Sequence, residues 1–148
     1  HHDEPLLRLL ENWGSTRARL IALVDGWEAL LTDPPITEPA IDLFARGRGQ
    51  AFAALAERCG QARYGQEALR TASNWALADL AERSSDPAEA RHVQSIAAAA
   101  DWQRPRLPRA LRPLVILHGL ASRRMGQNRP AAPITDFFAA MRLGIFGR

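Results

Sequence analysis

The sequence predicts an all-α protein, and three observations carry that prediction. Apolar residues recur at 3–4 spacing along most of the 148 residues, apolar/polar alternation is missing, and helix start and stop signals punctuate the chain at short intervals. β-branched residues are also sparse, which removes the usual strand formers. With 47% apolar residues, a chain of this length can bury the core of one domain. The expected architecture is a single bundle-like domain of six to seven helices over residues 1–148.

Taken in order, Pro5 to Trp13 reads as a short helix ending before Gly14. Ser15 is a good N-cap for a second helix through Leu31, with Leu20, Leu23, Val24, Trp27, Leu30 and Leu31 at helical spacing. Asp33-Pro34-Pro35 stops it, because the residue before a proline avoids the α region. Thr37 is the expected cap of a helix with Pro39 in its first turn. This helix runs to Glu57 or Arg58 before Gly60, with Ile41, Phe44, Phe52 and Leu55 inward. Gly47 and Gly49 fall inside it, each costing about 1 kcal/mol relative to Ala. That cost calls for close packing by a helix or a ligand.

A fourth helix spans Gln66 to Arg83, with Leu69, Ala72, Trp75, Ala76 and Leu80 inward. Asp86-Pro87-Ala88-Glu89 has the pattern of a capping box and starts a fifth helix running to about Trp102. Gln103 to Pro108 is a basic, proline-bearing break. Pro108 to Arg124 is a sixth helix, with Leu111, Leu114, Val115, Leu117 and Leu120 apolar. After the turn formers of Met125 to Pro133, Ile134 to Phe146 is amphipathic and aromatic, so residues 134–148 form a C-terminal amphipathic helix.

Composition narrows the chemistry. All 19 basic residues are arginine, as a GC-rich codon bias would give, and without lysine there is neither Schiff-base chemistry nor a P-loop lysine. Ten arginines face fifteen acids in residues 1–101, whereas nine face Asp136 alone in residues 102–148. A cationic C-terminal third suits an anionic partner. The longest apolar run, Leu111 to Ala121, is too short to cross a bilayer and contains Arg112 and His118. The start has no basic-then-apolar leader pattern. Cys59 has no second cysteine to pair with, which suits a reducing cytoplasm. It is placed at a helix C-terminus, the wrong electrostatic end to activate a thiolate. His1-His2 reads as an affinity-tag remnant, so the chain is expected to continue a longer gene product.

Catalytic patterns are few. His92 and His118 are single, on different helices, and read as a surface and a half-buried residue. There is no GxSxG, and Gly47-Arg48-Gly49 falls inside a helix rather than after a strand. The arginines of residues 104–124 lack the aromatic interleaving of a nucleic-acid surface, which disfavours that partner. Asp79 and Glu82, one turn apart, are the remaining pair that could share Mg²⁺. Arg83, four residues after Asp79, is positioned to neutralise it, and Asp86 is committed to the cap.

Ala72 to Arg83 (ASNWALADLAER) and Phe44 to Phe52 (FARGRGQAF) resemble two helices of the squalene/phytoene synthase family. Leu20 to Leu30, the LPRALRPLVILHGLASRR stretch and the MRLGIFGR ending are similar to other parts of its shorter bacterial members. The resemblance covers most of this chain but only the C-terminal part of the family domain. It implies part of the all-α prenyl synthase fold. Phe44, Gly47, Phe52 and Trp75 would line a prenyl pocket, with Arg48, Asp79, Glu82, Arg83 and Asp86 facing a diphosphate. It also implies departures, since Asp79 falls at the family's Asn and Arg83 at its metal-binding Asp.

The expectation is therefore a non-catalytic or accessory relative with no cofactor, Mg²⁺ entering only if the chain is an active synthase. The alternatives are a fragment of an active head-to-head prenyl synthase whose first Asp motif lies upstream, and a helical protein- or membrane-binding module. The corresponding partners are a prenyl diphosphate or other apolar ligand, a protein partner or second copy, and an anionic membrane reached through the C-terminal helix. The expected location is cytoplasmic, with or without peripheral attachment to the inner membrane.

Overall fold

Small residues, more than large apolar ones, decide where the helices of this protein meet. The structure is a computed structural model that describes residues 15–32 and 36–127. It contains helices α1 (Ser15–Thr32), α2 (Glu38–Arg58), α3 (Gly65–Arg83), α4 (Pro87–Ala99) and α5 (Arg112–Gln127). Single 3₁₀ turns at Ala62–Tyr64 and Arg109–Leu111 precede α3 and α5. No strand occurs among the described residues, and no helix there is long and apolar enough to cross a membrane. The expected helices at 5–13 and 134–148 lie outside the described residues.

The α1–α2 pair is antiparallel and close. A Cβ on Gly26 would stand 2.8 Å from the Phe44 Cα, and one on Gly47 would collide with the Ala22 carbonyl. On the other side of α2, a Cβ on Gly49 would reach 2.8 Å from the Leu69 carbonyl oxygen of α3 and strike the Ser73 hydroxyl. The mid-helix glycines thus answer to helix–helix contact. Ala53, Ala54, Ala56, Ala68, Ala72 and Ala76 extend the same principle through α2 and α3, all at most 4% exposed.

This corrects the inward faces expected from periodicity. Val24, Trp27 and Leu31 of α1 are 54, 40 and 80% exposed, and Leu55 of α2 is 49% exposed. Leu69 and Trp75 of α3 are only partly buried. Backbones that approach over glycine and alanine leave no room for larger side chains between them, so these flank the contact.

Two apolar clusters hold the layers. One joins Ile41 and Phe44 of α2 to Leu77 and Leu80 of α3 and to Val93 and Ala97 of α4. The other joins Ala56, Ala68 and Ala72 to Leu111, in the turn before α5, and to Leu114 in its first turn. Leu111 and Leu114 meet the first half of α3, and Arg124 pairs with Glu82 near its end, so α3 and α5 run in the same direction.

Helix ends follow local chemistry. Thr37 is extended at the start of α2 but makes no side-chain cap bond, and Pro39 enters the first turn. Gly60, at φ +69°, takes the left-handed conformation after α2. Asp86 caps α4, its carboxylate accepting from the Ala88 N–H at 2.8 Å. Glu89 departs from the reciprocal box, since its carboxylate accepts from the Ser84 hydroxyl at 3.0 Å. α4 stops at Ala99, short of the expected Trp102. The Trp102 indole N–H donates to the Ala97 carbonyl at 2.7 Å, folding the chain back over the helix end and satisfying a last-turn acceptor.

Candidate functional site

The polar centre of the α1–α2–α3 layer is Arg48. Its guanidinium carbon lies 4.8 Å from the Trp75 ring centroid, 4.9 Å from Phe44 and 5.4 Å from Trp27. Three aromatic faces around one cation stabilise it where water is largely excluded. Trp27 meets Phe44 edge-on at 4.9 Å, and Phe52 meets Trp75 edge-on at 5.9 Å. Arg48 Nη1 donates to Asp79 Oδ2 at 2.8 Å, both side chains being 13% exposed. The other carboxylate oxygen of Asp79 accepts from Arg83 Nε at 2.9 Å, on the same helix face.

The structure brings Arg48, Asp79, Arg83, Phe44, Phe52 and Trp75 together, and separates them from the other candidates. Gly47 faces the backbone of α1 rather than a ligand. Glu82 instead pairs with Arg124 of α5. Asp86 is held by its cap. The acids of the α3 end are thus distributed among three tasks. Among the described residues, no group of three or more His, Cys, Asp or Glu converges as a metal site.

A second polar cluster gave no motif in the sequence. Arg70 of α3 donates to the Asp101 carboxylate and to Glu67, each at 2.8 Å, and to the Asp101 carbonyl at 3.1 Å. Asn74, 6% exposed, also donates to the Asp101 carbonyl. Glu67 further accepts from the Arg106 N–H at 3.1 Å. These bonds staple the 100–107 connection to α3. Burial alone would raise the Glu67 pKa, but the hydrogen bonds from Arg70 and Arg106 outweigh it and hold the carboxyl below its usual range. The hydrogen bond to Glu67 in turn raises the Arg70 pKa. The i,i+3 spacing of Glu67 and Arg70 was legible; their joint grip on a loop over thirty residues away was not.

His118 of α5 borders this cluster. At 3% exposed it is fully buried rather than half-buried, and its ring is 5.3 Å from that of Trp102. Its Nε2 is buried without a hydrogen-bond partner. Burial pushes its pKa down, and the Arg70 cation adds to that shift against the opposing pull of Glu67 and Asp101. His92, as expected, is exposed.

Two recesses open nearby. One of about 500 Å³ lies between α2, α3 and α4, lined by Glu38, Asp42, Arg46, Ser73, Leu77 and Ile96 among others. Asp42 and Arg46 pair with each other across its rim. The other, about 150 Å³, is bordered by Trp102, Arg104, His118 and Ser122. Neither gathers a nucleophile, a base and an oxyanion donor.

Fold and site together define a helical bundle whose most buried charges are satisfied by one another. Compared with known proteins, the chain matches no family model, no curated protein and no solved structure.

Proposed function

We propose that this chain is a divergent squalene/phytoene synthase-like domain that acts as a non-catalytic or accessory protein rather than as a Mg²⁺-dependent prenyl transferase. The observation that carries the reading is the engagement of Asp79. Both of its oxygens accept from arginines, Arg48 from a neighbouring helix and Arg83 from one turn on. One carboxylate against two guanidinium groups leaves a net positive charge where a divalent cation would have to bind. Recruiting Mg²⁺ would require breaking a pair of which both members are 13% exposed, leaving Arg48 without its counter-ion. The residues at this position therefore do not fit the metal, and no chemical step is routed through it.

An accessory role is further supported by charge. Residues 102–127 hold six arginines and no acid, and Arg104, Arg106, Arg109 and Arg123 are exposed. Such a surface favours an acidic partner through long-range attraction. The deciding experiment incubates the intact chain with a prenyl diphosphate and Mg²⁺ and extracts the products for mass spectrometry. No condensed hydrocarbon is expected. A carbon–carbon coupled product would overturn the reading.

A further inference from the structure

The connection of residues 101–107 contains no helix, and side chains hold it to the bundle from two directions. On the α3 side, Arg70 and Asn74 donate to the Asp101 carbonyl, Arg70 also donates to the Asp101 carboxylate, and Glu67 accepts from the Arg106 N–H. On the other side, the Trp102 indole donates to the Ala97 carbonyl, and its ring lies 5.3 Å from the His118 ring of α5. Trp102, Arg104 and Pro105 border one recess together with His118, Gly119 and Ser122, so the connection lies along this face of α5.

His118 is thus the part of α5 on which Trp102 rests, and it is 3% exposed. A neutral imidazole has one donor and one acceptor nitrogen, whereas the protonated ring has two donors. Nε2 is buried without a partner. Protonation therefore puts an N–H there with no acceptor, and a full charge where water is excluded, which a packed interior does not tolerate. The charges that act on the ring are Arg70 and Glu67 of α3 and Asp101 of the connection, with none from α4. Arg104 borders the recess beside it. Glu67 and Asp101 attract an imidazolium, but both are already paired with Arg70, which repels it. The neighbour that moves at least cost is the connection, because α3 and α5 would have to break helical hydrogen bonds.

We propose that His118 is an acid-sensitive latch. Neutral, its ring seats Trp102 and closes the 101–107 connection over α3 and α5; protonated, it releases the connection, which carries the exposed Arg104 and Arg106 away with it while the helices stay folded. This inference does not depend on the proposed function. In the released state the ring meets water and takes its proton at the ordinary value of 6.5, whereas burial keeps it neutral to lower pH in the closed state. Release is therefore favoured as pH falls through that value, by up to about tenfold between about pH 7.5 and 5.5.

The test follows hydrogen exchange by NMR in the intact chain at two groups, the Arg106 N–H and the Trp102 indole N–H, corrected for the intrinsic pH dependence of exchange. Protection at both should fall about tenfold from about pH 7.5 to 5.5, while amides in the middle of α3 and α5 keep theirs. His118→Gln cannot take the proton and should hold its protection at both groups across the same range. Where circular dichroism shows that variant unfolded, His118→Phe, which keeps a ring against Trp102, takes its place. A fall below about twofold in the native chain would overturn the proposal. So would an equal fall in the non-titrating variant, which would make a carboxylate the sensor, or a parallel loss across α3 and α5, which would mean that acid unfolds the bundle as a whole.

Discussion

Asp79→Ala is the most informative single perturbation of this protein. It leaves the Arg48 guanidinium, 13% exposed, among Trp27, Phe44 and Trp75 with no counter-ion. Breaking one member of a buried pair costs about 3–5 kcal/mol. Here the loss falls toward the lower end of that range, because both side chains keep 13% exposure and the aromatic faces still attract the cation. The net expectation is about 2–4 kcal/mol, equivalent to a fall in Tm of roughly 5–15 °C for a chain of this size. Arg83→Ala removes the other donor to the same carboxylate, but Arg83 is 69% exposed and should cost no more than about 0.5 kcal/mol. The double change Arg48→Met with Asp79→Leu removes both charges at similar volume and should lie within about 1 kcal/mol of the native protein. Urea unfolding followed by tryptophan fluorescence reads all three, since Trp27 and Trp75 line the stack. An Asp79→Ala loss below about 0.5 kcal/mol, or an Arg83→Ala loss equal to it, would refute the view that Arg48–Asp79 is a desolvated pair.

Further expectations follow from other sites. Gly47→Ala should destabilise by about 1–3 kcal/mol, because its Cβ meets the backbone of α1, which cannot yield as a side chain could. Gly65→Ala should instead stabilise by about 0.4–1 kcal/mol, since the residue is helical with open space around it; opposite signs in thermal denaturation check the pair. Asp86→Ala should cost about 1 kcal/mol through the lost cap of α4, with Asp86→Asn retaining most of it. The His118 pKa is lowered in the folded chain, so the unfolded chain binds the proton more readily. Stability should therefore fall with decreasing pH below the ordinary value of 6.5, by at most about 1.4 kcal/mol per pH unit. His118→Gln should flatten that slope in denaturation at stepped pH.

Much of the secondary structure was legible because its signals are local. Asp33-Pro34-Pro35 against α1, Gly60 against α2 and Asp86-Pro87 against α4 each act within a few residues, through backbone sterics or a nearby N–H. The early end of α4 was not legible. It depends on the Trp102 indole finding the Ala97 carbonyl, a choice that competes with helix continuation only once the chain has turned. The mid-helix glycines announced close packing but not the packing partner, which proved to be α1 for Gly47 and α3 for Gly49. For the site, sequence spacing placed Asp79 and Arg83 together by helix geometry alone. It could not pair Asp79 with Arg48, thirty-one residues away, nor send Glu82 to Arg124.

The sequence by itself determined an all-helical chain over the described residues, its breaks and its divided charge, because periodicity, capping and composition are properties of neighbours along the chain. Only the tertiary structure decided which helix faces are inside. Alanine and glycine at the contacts draw the backbones together and turn Val24, Trp27 and Leu31 outward, reversing what hydrophobicity alone would suggest. It also decided that the acids of the α3 end are spent on arginines and a helix cap. Both outcomes depend on the distances between helices, which spacing along one helix does not contain.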